Sequence, residues 1–306
     1  AVLVVDGQGE DCSTSLGYAK DGKINIFRKI SIPHSLGYLY ESVSKLIGFG
    51  LHDAGKVMGL AAYGDSSKYK FDNFKINSKG YQISFADPIH LFTKNKEENI
   101  DEQQVIVNAW FGYFERQHKI KSQKMNYSYN LSATQVQKET LGLTKESKDL
   151  AASMQKKVED TLLHLCRVLK KETKSDNLVI SGGVGLNCSA NGQINKAGIF
   201  KNVYIFPAAN DAGVSLGSAL KKYYDLNKYH PREIKTVYLG PNFTNVMVRQ
   251  ILDNYGLEYG YHKNIERMTA NLISKGKIVG WFQGKMEVGP RALGNRSILA
   301  DPRGKK

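Results

Sequence analysis

Twice within 50 residues the chain runs through an apolar strand, a glycine-bearing loop and a helix, and this repeat constrains the fold more than any other feature. Asn177 to Ile180 reads as a short buried strand entering Ser181-Gly182-Gly183-Val184-Gly185, after which Leu186 to Asn195 has a helical pattern. Val203 to Phe206 reads as the next strand, followed by the PAANDAG loop and a helix from about Ala212 to Tyr224. Such alternation predicts an α/β core whose ligand sits beyond the strand ends.

The flanking sequence fits that core. Residues 1 to 6 read as a buried strand. Thr14 to Ala19 and Lys23 to Ile30 alternate polar and apolar residues around Asp21-Gly22, a hairpin signal. Ser35 to Ile47 places Leu36, Leu39, Tyr40, Val43 and Leu46 on one helical face. From Lys148 to Glu172, Leu150, Met154, Val158, Leu162, Leu165 and Leu169 recur at helical spacing and predict one long amphipathic helix. Residues 66 to 145 are polar apart from an apolar NAWFGYF run from Asn108, and read as an elaboration of mixed short elements. Beyond His230 and Pro231, a helix through Ile265 to Ser274 and a KIVGWF strand suggest a second domain. The expected division is 1–230 and 231–306.

With 306 residues and 41% hydrophobic composition, the chain can bury two cores while staying far from a membrane protein's composition. No run reaches the roughly 20 apolar residues that cross a bilayer. The opening AVLVVDGQGE lacks the basic and apolar regions of a signal peptide. Cys12, Cys166 and Cys188 stand far apart, which argues against a disulfide framework or a structural zinc site and fits a reducing cytoplasm. The net charge of +14 admits nucleic acid, an acidic membrane or phosphorylated small molecules as partners. The lysines are spread along the chain without the aromatic-interleaved stripe of a single-strand binder. Most of the charge therefore reads as a solvated face, and nucleic acid is not the expected partner.

Four groups of residues invite a chemical reading. The segment GWFQGKMEVGPRALGNRSILADPR, from Gly280, carries Arg291, Arg296 and Arg303 among glycines, as an oxyanion pocket requires; the alternative is a tight turn with surface arginines. The glycine turn from Ser181 to Asn187 opens a helix, where backbone N–H groups can meet a phosphate or glycines can simply allow tight packing. Asp6 and Asp211 each follow a strand beside a glycine and could hold a cation or cap a turn. His34 could be a ligand or base and Lys56 a phosphate contact, against a structural histidine and a solvated lysine. Cys188 is not read as a nucleophile, and His164 and Cys166 belong to the packing of the long helix.

These motifs carry a resemblance. VDGQGEDCSTSLGY from Val5, HSLGYLYESVSKLIGF from His34, GKVMGLAAYGD from Gly55, SGGVGLNCSANGQI, PAANDAGVSLGSAL and the arginine segment together resemble the NodU/CmcH family of O-carbamoyltransferases. The resemblance implies an actin-like/Hsp70-like (ASKHA) nucleotide-binding domain followed by the start of a YrdC-like domain. It implies an ATP-dependent O-carbamoyltransferase in which carbamoyl phosphate and ATP give carbamoyl-adenylate, from which the carbamoyl group passes to a small-molecule hydroxyl. Lys56, Gly182, Gly183 and Asn187 would contact the nucleotide, and Arg291 and Arg296 would serve carbamoyl phosphate. The family's metal is held by two histidines and two aspartates, which Asp6 and Asp211 match; such oxygen and nitrogen donors suit a divalent ion, iron(II) or manganese. The paired-histidine HxxxH element and most of the C-terminal domain are expected outside this chain, which reads as a fragment. The alternatives are threonylcarbamoyl transfer to tRNA by a related enzyme and a non-catalytic nucleotide-binding relative.

Overall fold

The structure is a computed structural model that describes residues 1–50, 53–85, 102–121, 143–227 and 234–303. The chain divides into two compact units, Ala1–Asp211 and Ala212–Lys306. The boundary expected near residue 230 lies outside the described residues.

The first unit begins with β1 (Val2–Val5), β2 (Cys12–Lys20) and β3 (Lys23–Ser31), the antiparallel meander that the alternating pattern predicts. Asp21 and Gly22 take φ of 51° and 75°, the left-handed pair that lets a two-residue loop follow the strands' twist. There follow α1 (Leu36–Leu46), α2 (Ala54–Ala61), β4 (Phe74–Asn77), β5 (Gly80–Ile83), α3 (Glu102–His118), α4 (Lys145–Thr173), β6 (Asn177–Ser181), α5 (Cys188–Lys196) and β7 (Asn202–Ile205). One five-stranded sheet has the order β3-β2-β1-β6-β7, and β4 and β5 form a separate hairpin. β1, β6 and β7 run parallel, so their C-terminal ends share one edge of the sheet.

Capping fixes the helix starts. Ser35 accepts from the Tyr38 N–H at α1, and Thr144 accepts from Ser147 at α4. All six apolar positions expected on α4 are buried. At about 1.5–3 kcal/mol per buried aliphatic side chain, they make α4 the main strut of this unit. It packs against α1, α2 and α5 and reaches β1, β2 and β5. The apolar run from Asn108 lies within α3, where Trp110 and Phe114 are buried among Phe71, Tyr113 and Phe85.

Two expectations need correction. β6, read as a buried strand, is buried on one face only: Leu178 and Ile180 point into the core while Val179 remains 41% exposed, because strand side chains alternate between faces. The helix read from Leu186 also starts later. Gly183–Leu186 form a 3-10 turn, Asn187 leaves helical geometry at ψ 94°, and α5 begins at Cys188.

The second unit contains α6 (Val214–Leu226), α7 (Asn245–Asn254), α8 (Ile265–Ser274) and an antiparallel pair, β8 (Val279–Phe282) and β9 (Arg296–Leu299). Thr244 caps α7 by accepting from Met247. Among the described residues, no helix is long and apolar enough to cross a membrane.

Candidate active site at the sheet edge and the arginine loop

Asp6 directly follows β1, β6 runs into the glycine turn, and the segment after β7 leads to Asp211, so the parallel strands bring these three stretches to one edge. The turn is fastened there by its glycines. Gly182 has φ 90°, and a Cβ on it would fall 2.1 Å from the Val5 carbonyl oxygen, so only glycine fits. A Cβ on Gly183 would lie 2.9 Å from the Asp6 carboxylate. The Gly182 N–H and the Ser181 hydroxyl both donate to the Ala209 carbonyl, at 2.7 and 3.2 Å, tying the two loops together. Asp6 Oδ1 accepts from the Gly7 N–H at 2.7 Å, and Asp211 opens a short 3-10 turn, Asp211–Gly213.

Asn187 is turned inward. Its Oδ1 caps α5 by accepting from the Ala190 N–H at 3.0 Å and also accepts from Gln155 Nε2 at 3.0 Å, while its Nδ2 donates to Gln155 Oε1 at 2.9 Å. Asn187, read as a nucleotide contact, is also a buried helix cap in this fold. Gln155 carries no motif of its own, since Asp149, Ser153 and Thr161 are equally buried polar residues of α4.

Lys56 lies on α2, ion-paired at 2.8 Å with Asp53 and 6.0 Å from the centre of the Phe49 ring. His34 is half-buried beside β5, where its Nδ1 accepts from the Ile83 N–H at 3.2 Å. Burial pushes its pKa down, so the neutral ring that makes this bond is favoured. His34 thereby joins β5 to the start of α1, a structural task. Cys188 is exposed with its Sγ 3.6 Å from Met58 Sδ, Cys166 is buried with its thiol pushed up to about 12 by desolvation, and His164 bonds the Asn77 carbonyl at 2.8 Å.

In the second unit the arginine loop connects β8 and β9. Glu287, whose side chain is 0% exposed, is its centre. Its Oε1 accepts from the N–H groups of Leu293, Asn295 and Arg296 at 2.8, 2.7 and 3.0 Å. Its Oε2 accepts from Arg296 Nε at 2.9 Å. Burial alone would raise the Glu287 pKa; the Arg296 guanidinium and the backbone N–H groups outweigh it and hold the carboxyl far below the usual range. Arg296 Nη2 donates at 3.0 Å to the carbonyls of Glu287 and Gly289. Arg303 grips Asp301 with two bonds, at 2.9 and 2.8 Å, and brings its pKa down to about 2. Arg291 stands half-buried in the same loop. Arg296 and Arg303 thus each hold a carboxylate of their own chain.

A carbamoyltransferase N-terminus family model matches residues 1–220, and a carbamoyltransferase C-terminus model matches residues 270–306. The nodulation protein NolNO of Sinorhizobium fredii is 33% identical over 99% of this chain and 40% of its own length. The nodulation protein NolO of Bradyrhizobium diazoefficiens is 32% identical over 99% of this chain and 50% of its own. The 3'-hydroxymethylcephem-O-carbamoyltransferase of Amycolatopsis lactamdurans is 28% identical over 94% of this chain and 48% of its own. The chain thus spans about half the length, or less, of these relatives. With its strand-end loops and its arginine loop both inside the matched stretches, the chain belongs to the carbamoyltransferase family that includes the NodU/CmcH proteins.

Proposed function

We propose that the intact protein is an ATP-dependent O-carbamoyltransferase that forms carbamoyl-adenylate from carbamoyl phosphate and ATP and passes the carbamoyl group to a hydroxyl of a small molecule. The observation that carries this reading is the glycine turn, packed by Gly182 and Gly183 against the end of β1 and the Asp6 carboxylate, in a chain of this family. A phosphate chain lying along the turn would meet backbone N–H groups and the N-terminus of α5, where negative charge is favoured. An antiparallel meander continued by parallel strand-and-helix units supports the actin-like fold for residues 1–230, and the match over 270–306 supports a YrdC-like beginning for 231–306.

On this reading Arg291 neutralises the carbamoyl phosphate dianion and the charge that develops as the phosphate leaves. Arg296, bound to Glu287, holds the loop that presents it. The hydroxyl acceptor is supported by the hydroxymethyl group in the name of the cephem enzyme. Among the described residues, no specific contact favours tRNA or a non-catalytic role.

A divalent ion, iron(II) first, is part of the proposal, with Asp6 and Asp211 as this chain's share of its ligands. Their hard oxygen donors suit such an ion in kind. Among the described residues, no third His, Cys, Asp or Glu completes the set, so these two carboxylates do not by themselves make a site. A bound ion would polarise a carbonyl or activate the acceptor hydroxyl.

The test is incubation of the intact protein with ATP and carbon-13 carbamoyl phosphate, with pyrophosphate release and labelled carbamoyl-adenylate followed by mass spectrometry. Both are expected to depend on both substrates. Pyrophosphate release no faster than in a protein-free control would overturn the reading.

A further inference from the structure

The glycine turn is held by glycine packing on β1 and by the Ala209 carbonyl, and its end is held by Gln155, a polar residue 5% exposed on the buried face of α4. Its Oε1 accepts from the Tyr40 hydroxyl and from Asn187 Nδ2, both at 2.9 Å. Its Nε2 donates to Asn187 Oδ1 at 3.0 Å and to Glu159 Oε1 at 2.7 Å. All four hydrogen-bonding positions of the amide are used. Neither amide can turn over: Asn187 must offer oxygen to the Ala190 N–H, and the Glu159 carboxylate can only accept. The Glu159 carboxylate also takes the Ser189 hydroxyl at 2.6 Å, on the first turn of α5. One side chain thus registers α1, α4 and the junction between turn and helix.

An apolar residue would fill this place on α4 without needing four partners, so mere packing does not account for it. A fully connected buried polar network selects a single geometry. The geometry selected here is that of Asn187, which sets where the turn ends and where α5 begins.

We propose that Gln155 is a positioning residue for nucleotide binding: through its reciprocal amide pair with Asn187, it holds the glycine turn in the conformation that receives the phosphates of ATP. This rests on the nucleotide reading of the turn. Gln155 does not touch the ligand.

The test measures MgATP and carbamoyl phosphate binding to the intact protein by titration calorimetry for wild type, Gln155→Met and Tyr40→Phe. Methionine keeps the volume and removes every polar atom. Loss of the network is expected to raise the Kd for ATP by about tenfold or more, the scale of one lost buried hydrogen bond. The Kd for carbamoyl phosphate, assigned to the arginine loop, is expected to stay within about twofold, below what one such bond is worth. Tyr40→Phe, which removes the bond to Gln155, is expected to weaken ATP by about two- to fivefold with a Tm lowered by only about 2–4 °C. If Gln155→Met does not fold, Tyr40→Phe decides alone. Wild-type ATP affinity in the variants, or parallel weakening of both ligands, would overturn the positioning role. A wild type that binds carbamoyl phosphate but not millimolar ATP would overturn the nucleotide reading, and this proposal with it.

Discussion

Glu287 and Arg296, nine residues apart, close the arginine loop on itself: the Arg296 Nε lies 2.9 Å from a carboxylate wholly removed from solvent. The same carboxylate gathers three backbone N–H groups of the loop, the arrangement a bound anion would otherwise receive. The loop carries its own anion.

The acid stability of this loop should therefore follow Glu287. Its carboxyl has an ordinary value of 4.5 and a strongly lowered one in the fold, so its ionised form stabilises the fold above pH 4.5, and that contribution is lost as pH falls below it. Thermal unfolding of wild type against Glu287→Gln between pH 7 and pH 3 is the check. The two curves should converge at low pH, and curves that stay parallel would remove Glu287 from this role.

Arg291 and Arg296 should separate by chemistry. Arg291→Ala should lower the rate of carbamoyl-adenylate formation by about 100- to 1,000-fold, the usual consequence of deleting a preorganised donor. Arg296→Lys keeps the charge but not the fork that spans Glu287 and Gly289, so it should lower thermal stability as well as rate. Near-normal adenylate yield in Arg291→Ala would refute its assignment.

Asn187→Ala removes a helix cap and strands the Gln155 amide. The cap is worth about 1 kcal/mol and the orphaned buried groups about 1–3 kcal/mol, so a loss of about 2–4 kcal/mol is expected in urea unfolding. A loss below about 0.5 kcal/mol, within the range of ordinary surface changes, would mean that the network is not held in solution.

Gly182→Ala should be worse. A methyl group there meets the Val5 carbonyl at 2.1 Å in a backbone conformation of φ 90°, so relief requires moving β1 or the turn. The expected cost is about 3 kcal/mol or more, from overpacking and backbone strain together. Denaturant titration would show it, and a change under about 1 kcal/mol, the cost of a tolerated core change, would contradict the close approach.

His34 gives a second pH dependence. Its folded pKa lies below the ordinary 6.5, so the unfolded chain binds the proton more readily, and stability falls as pH drops through 6.5 towards the folded value. Unfolding free energies between pH 8 and pH 5 for wild type and His34→Gln should keep a constant separation above about pH 6.5 and approach each other below it. A separation that does not change with pH would exclude the histidine.

The meander, α1, α4, the two parallel strand-and-helix repeats and α8 were legible in the sequence because each is written in a local code. Alternation of period two, helical spacing and the Asp21-Gly22 turn act over a few residues. The family was legible for a related reason, since its glycines and arginines lie in contiguous blocks. What the sequence alone did not determine were the partners of its polar groups. Asn187, Arg296 and Lys56, read as ligand contacts, and His34, read as either a ligand or a structural residue, each have a partner within the fold: Gln155, Glu287, Asp53 and the Ile83 N–H. Gln155 and Asn187 are 32 residues apart and His34 and Ile83 are 49 apart, so no local pattern pairs them. Only packing, which removes water from a polar group and obliges it to find a partner, decided what each of these groups is bonded to.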